Sequence, residues 1–136
     1  MNVLDNITEL EGQYLDAYAK NLGIVLDEIK PGEATGHLTL KDDIMNPLGS
    51  LHGGALFSLG DIVAGTAATA SGAKVTTLDT NISYLAPGLM KNTSKVFAHA
   101  RTVKAGKTIH VMAVEIRDER DVLLSTMNFT FFVMKQ

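Results

Sequence analysis

Asp61 is the one carboxylate in a stretch, Leu51 to Ala73, where almost every other residue is apolar or small. A bare carboxylate in such company is destabilised unless it is paired, hydrated or neutral. Burial should raise its pKa, which suits a group that handles protons. Just ahead of it, His52-Gly53-Gly54 offers backbone N–H groups free of side-chain shielding, where a helix is predicted to begin. Such N–H groups, with the helix dipole behind them, can hold a developing oxyanion. A base or nucleophile together with an oxyanion hole suggests acyl transfer. The plainer readings make Asp61 a polar residue on an exposed helix face and Gly53-Gly54 a turn. They fit poorly, because this helix has almost no other polar face to expose.

Spacing adds a constraint. Asp61 follows Gly54 by seven residues, so in one continuous helix they lie about 10 Å apart along the axis. A carboxylate, a water and the oxyanion donors must meet within roughly 3 Å of one carbonyl group. One helix cannot serve a single carbonyl with both. If both act, Asp61 comes from one subunit and the donor from its partner, and dimerisation becomes a condition for activity.

Other chemistries are poorly supported. The chain has 136 residues and no cysteine, which removes disulfides, thiolate metal sites and a Cys nucleophile. Ser50 and Ser58 sit in no G-x-S-x-G elbow. No HExxH spacing or carboxylate cluster exists, so no metal is expected. A two-residue turn at Ala105-Gly106 would put His99 and His110 on one sheet face, but Arg101 would share it and repel a cation. A formal charge of −3 without a Lys/Arg-rich patch argues against nucleic acid. The apolar window is long enough to cross a bilayer, yet it carries five glycines, several Ser and Thr, and Asp61 near its middle. No membrane partner is expected. Met1 to Asn6 is acidic and lacks a signal peptide's apolar run, which makes the cytoplasm the default.

The length predicts a single domain over residues 1–136. Val3, Ile7, Leu10, Tyr14, Tyr18 and Leu22 recur at three- and four-residue steps, an amphipathic helix with Gly23 as its stop. Ile24 to Ile29 and Glu33 to Leu40 alternate about Pro31-Gly32, a hairpin. After a loop from Lys41 to Ser50 comes the Gly/Ala-rich helix. Its small residues weaken helix propensity but permit close backbone approach. Strands are then predicted over Val75–Leu85, Ser94–Val103, Thr108–Arg117 and Val122–Met134. Runs of antiparallel strands with one apolar helix give an α+β domain, the helix on the curved face of the sheet. A free sheet edge is left to be managed, often by a second subunit.

Three blocks together resemble a known family. They are Asn46-x-x-Gly49-x-x-His52-Gly53-Gly54 with Asp61, then Thr77 to Pro87, then Lys104-Ala-Gly106-Lys107-Thr108. In this order they resemble the hotdog-fold acyl-CoA thioesterases, in the phenylacetyl-CoA-thioesterase-like branch, over roughly residues 36–133. The resemblance implies a curved antiparallel sheet around a central helix, a dimer with a continuous sheet, and often a homotetramer of two dimers. It implies hydrolysis of acyl-CoA without a cofactor. Carried over by position, Asp61 is general base or nucleophile, and the N–H of Gly54 or Gly53 polarises the thioester. His52 and Asn46 fix the loop or bond the thioester, and Thr77 places the attacking water. Tyr84, Pro87, Lys104, Gly106, Lys107 and Thr108 line a groove for CoA.

Apart from that resemblance, Thr77 is a β-branched strand residue, His52 a possible cap, and Lys104 and Lys107 are hairpin lysines. Two further readings keep the fold: a hydratase of acyl thioesters pairing a His with an acid, and a non-catalytic acyl-CoA sensor. The loop matches the hydrolase branch better, and an intact Asp61 beside an oxyanion hole is hard to explain in a pure binder. Aryl-acetyl, short-chain and medium-chain acyl groups all suit a tunnel lined by Leu56, Phe57 and Leu59.

Overall fold

The computed structural model describes Leu15 and residues 17–134. Helix α1 (Ala17–Leu22) is the described end of the predicted amphipathic helix; Val3 to Tyr14 lie outside the described residues. It stops where expected. Gly23 takes a φ of +90°, and its N–H donates to the carbonyls of Ala19 and Lys20, the left-handed closure that glycine permits. Strands β1 (Ile24–Lys30) and β2 (Glu33–Thr39) form the predicted hairpin. A single 3-10 turn, Asp42–Ile44, interrupts the following loop.

Helix α2 (Gly53–Ala70) has 18 residues, a rod of about 27 Å. It is followed by β3 (Val75–Tyr84), β4 (Lys95–Ala105), β5 (Ile109–Asp118) and β6 (Leu123–Val133). The six strands form one antiparallel sheet in the order β1-β2-β4-β5-β6-β3. Chain order therefore does not predict neighbours, and β3 lies on an edge beside the last strand.

One face of the sheet buries Leu38, Val96, Met112, Ile116, Met127 and Phe129 against α2, which touches every strand. A helix that is apolar nearly all round must be enclosed, and α2 buries Leu56, Leu59, Val63, Ala64 and Ala67. The small residues allow this close seating. A Cβ on Gly60 would collide with the Met127 sulfur, and one on Gly36 of β2 would lie 2.8 Å from a Val63 methyl.

The β4–β5 connection departs from the expected two-residue turn. A bulge between Thr102 and Lys104 shifts the register, Ala105 pairs with His110, and the Gly106 N–H donates to Ile109 O at 2.9 Å. The shift turns His110 into the core, where it is buried, while His99 faces outward and bonds Glu33. The two histidines lie on opposite faces. Among the described residues no group of three His, Cys, Asp or Glu is placed to hold a metal. Nor is any described helix long and apolar enough to cross a membrane.

Candidate active site

The start of α2 is built around one peptide group. His52 is the N-cap, with φ −59° and ψ 135°, and its Nδ1 accepts the Gly54 N–H at 2.9 Å. Across the same peptide, the Gly53 carbonyl accepts the Tyr84 hydroxyl at 3.0 Å. The Gly53–Gly54 peptide is thus engaged at both ends. One peptide earlier, His52 O accepts the N–H groups of Ala55 and Leu56 at 2.9 and 3.2 Å. The N–H of that earlier peptide belongs to Gly53, and among the described residues it donates to nothing. Hydrogen bonds to a carbonyl polarise its amide and strengthen the donor at the other end. Of the two glycines, Gly53 keeps a free N–H and Gly54 does not.

The loop ahead of the cap is fastened by Asn46. Its Oδ1 accepts from the Leu48 and Ser50 N–H groups at 2.9 and 3.1 Å, and its Nδ2 donates to Ser50 Oγ at 2.8 Å. Most of Asn46's hydrogen-bonding capacity is committed to the loop, which leaves one amide hydrogen free. His52 N–H donates to Ile44 O, and Leu51 N–H to Gly88 O, so the Pro87-Gly88 segment braces the approach to α2.

Asp61 lies two turns further along α2, half-buried. Burial raises its carboxyl from the ordinary value of 3.8, and a hydrogen bond from Thr77 partly offsets the rise. That bond, Thr77 Oγ1 to Asp61 Oδ1, measures 3.1 Å. Strict alternation along β3 would put Thr77 and Tyr84, seven positions apart, on opposite faces. A register shift between Thr77 and Asp79 prevents this. Thr77 pairs with Phe131 and Tyr84 with Ser125, both on the helix side of β6. Bulges re-aim side chains in this way beside functional sites.

Asp61 and Thr77 line a groove of about 700 Å³ with Gly54, Phe57, Ser58, Ile62, Val75, Tyr84 and Phe131, a size that suits a small ligand. A second groove, lined by Asn46, Gly53, Leu56 and Pro87, shares Gly54 and Tyr84 with the first. Of the expected tunnel residues, Phe57 reaches the Asp61 groove, Leu56 the second groove, and Leu59 is sealed in the core.

Lys104, Gly106, Lys107 and Thr108 line neither groove. Their turn follows Ala105, which is joined to Thr77 through the row His110 and Phe131, three strand spacings or about 14 Å away. Tyr18 and Ser58 are additions that the sequence reading did not place at the site. Ser58 Oγ donates to Gly54 O at 2.9 Å and meets the Tyr18 hydroxyl at 2.7 Å. Tyr18 carries the helical period expected of a core residue, yet it is 59% exposed at the groove's rim. The i, i+4 spacing of Gly54 and Ser58 was the available signal.

A sequence model of the thioesterase superfamily matches residues 48–125, a span holding the cap, Asp61, Thr77 and Tyr84. The chain belongs to that superfamily. Among its relatives is 1,4-dihydroxy-2-naphthoyl-CoA thioesterase 2 of Arabidopsis thaliana. That protein is 32% identical over 127 residues, covering 87% of this chain and 80% of the relative. Acyl-coenzyme A thioesterase PaaI of Escherichia coli is 32% identical over 105 residues, 77% of this chain and 74% of its own length. Among solved structures, a hypothetical thioesterase from Streptococcus pneumoniae with coenzyme A superposes with a TM-score of 0.84 at 25% identity. The match covers 93% of this chain and 98% of that one. The sheet wrapped on α2 is the hotdog arrangement of this thioesterase superfamily.

Proposed function

We propose that this thioesterase-superfamily chain hydrolyses acyl-CoA thioesters to a carboxylic acid and free CoA. The observation that carries the reading is the Asp61 carboxylate, half-buried in a groove where apolar side chains and hydroxyls mix, and hydrogen-bonded by Thr77. The coenzyme A in the Streptococcus pneumoniae structure and the names of the two relatives support CoA as the carrier.

As general base, Asp61 takes a proton from water while the water oxygen attacks the thioester carbon. The carbonyl oxygen gains charge at the Gly53 N–H, the C–S bond breaks, and the CoA thiolate leaves to be protonated. As nucleophile, Asp61 would form a mixed anhydride that water then opens. After single turnover in ¹⁸O-water, label found in Asp61 marks the nucleophile, through water attack on the Asp61 carbonyl of the anhydride.

Gly53 and Asp61 are eight positions apart in one unbroken helix, about 12 Å along its axis, so the site is assigned to two subunits. Edge strand β3, with Leu78 57% exposed, is the natural seam for a dimer with a continuous sheet, and two dimers would make a tetramer. The Lys104–Thr108 turn would then meet CoA only at a distance from the reacting carbonyl. Hydration is less well supported, because His52 Nδ1 is committed to the cap and His52 does not line the Asp61 groove.

The test is free-thiol release from a panel of acyl-CoAs, acetyl to palmitoyl with benzoyl and phenylacetyl, for wild type beside Asp61→Ala. Release that depends on Asp61 is expected. Silence across the panel with CoA still bound would sink the reading and favour an acyl-CoA sensor.

A further inference from the structure

We propose that Tyr84 is a positioning residue for the oxyanion donor, holding the Gly53–Gly54 peptide so that the Gly53 N–H points at the thioester carbonyl. The inference rests on the hydrolase reading and goes beyond it, because the family resemblance implies only a CoA-lining role for Tyr84.

The need for such a residue follows from the local chain. Two successive glycines open α2, and glycine is the residue with most backbone freedom to lose. First turns of helices fray. A donor misplaced by about 1 Å can lose ~10²-fold in rate. Something must therefore fix the turn, and Tyr84 is placed to do so. Its hydroxyl donates to Gly53 O at 3.0 Å while His52 Nδ1 takes the Gly54 N–H of the same peptide at 2.9 Å. A peptide is planar, so restraint at both ends fixes the Gly53–Gly54 plane. The preceding peptide, which carries the Gly53 N–H, is held at its other end by the Ala55 and Leu56 N–H groups on His52 O. Together they leave Gly53 little freedom to turn its N–H away.

The ring contributes as well. Its Cζ, hydroxyl and Cε1 lie 3.2 to 3.3 Å from where a Cβ on residue 53 would stand, so it walls the side of the glycine that lacks a side chain. Tyr84 also borders both grooves, sharing that place with Gly54. It reaches this place only because of the bulge after Thr77. The same irregularity thus aims one residue at Asp61 and another at the donor.

Tyr84→Phe removes the hydroxyl and keeps the ring. Loss of one hydrogen bond should lower kcat roughly fivefold with KM for acyl-CoA unchanged. In the substrate-free protein, amide exchange at Gly54, followed by NMR, should quicken by a similar factor. A rise in KM with kcat preserved would overturn the proposal and return Tyr84 to substrate contact. Unchanged exchange at Gly54 would overturn it too. If wild type releases thiol from no acyl-CoA, the hydrolase reading fails separately. Amide exchange then still decides whether Tyr84 holds the turn.

Discussion

Thr77 and Asp61 meet across the groove, hydroxyl to carboxylate at 3.1 Å, and no other side chain among the described residues bonds that carboxylate. The bond opposes the effect of burial on Asp61. Thr77→Val keeps the shape and deletes the hydroxyl, so Asp61 should titrate still higher. The acidic limb of the kcat/KM profile should move to higher pH, with kcat down by about tenfold. Thr77→Ser restores the donor and should stay near wild type. A pH–rate profile of the three proteins decides the matter; an unmoved acidic limb in the Val variant would disconnect Thr77 from the reacting group.

Asp61→Asn should separate activity from stability. Removal of a general base or nucleophile should lower kcat/KM by at least ~10²-fold. Stability should move the other way. The folded protein raises the Asp61 pKa above its ordinary 3.8, so it binds that proton more tightly than the unfolded chain does. The resulting stabilisation is complete below the unfolded pKa and is lost as pH rises through the folded one. At pH 7 wild type carries the unfavourable charge and the Asn variant does not. Melting scans should show the variant the more stable at neutral pH, with the gap closing on acidification toward pH ~3.5. A gap independent of pH would exclude the carboxylate as its source.

How much of this was legible in the sequence depends on the length scale of each feature. The start of α2, its closeness to the sheet and the hairpin at Pro31-Gly32 are local, and period and turn chemistry reveal them. The place of β3 beside β6 is set by contacts between distant segments, which no periodicity records. Two bulges carry most of the remainder. The one after Thr77 lets Thr77 and Tyr84 share a face, and the one near Val103 separates His99 from His110. Each undoes the strict alternation from which faces are read. Likewise the glycine pair is visible in the sequence, but which N–H stays free depends on the rotamer of His52.

His52 is an unusual cap, since a ring nitrogen takes the place filled elsewhere by a Ser, Thr, Asp or Asn oxygen. His52→Ala should destabilise the protein by about 1 kcal/mol, read as a lower urea midpoint at constant slope. His52→Asn should recover most of the loss, because its side-chain oxygen can accept the same Gly54 N–H. Equal midpoints for Ala and wild type would show that the 2.9 Å contact contributes nothing to folding.

The Gly53 N–H can be deleted almost in isolation. Residue 53 is the first position of α2, where proline is tolerated, and His52 with ψ 135° already has the extended backbone that must precede a proline. Gly53→Pro and Gly53→Ala both place a Cβ against the Tyr84 ring, but only proline removes the donor. The ratio of their kcat values isolates it and should reach ~10²-fold. The proposal of a site shared by two subunits makes a second demand, since Gly53 and Asp61 lie eight positions apart in α2, about 12 Å along the axis. Gly53→Pro and Asp61→Ala homodimers should each keep about a hundredth of the wild-type activity or less. In a heterodimer of the two, one site pairs the intact Asp61 of the first chain with the intact Gly53 of the second. Co-refolded mixtures should therefore recover up to about half the wild-type activity per heterodimer. Heterodimers that form and stay inactive would place both groups in one chain's site and remove the case for a shared one.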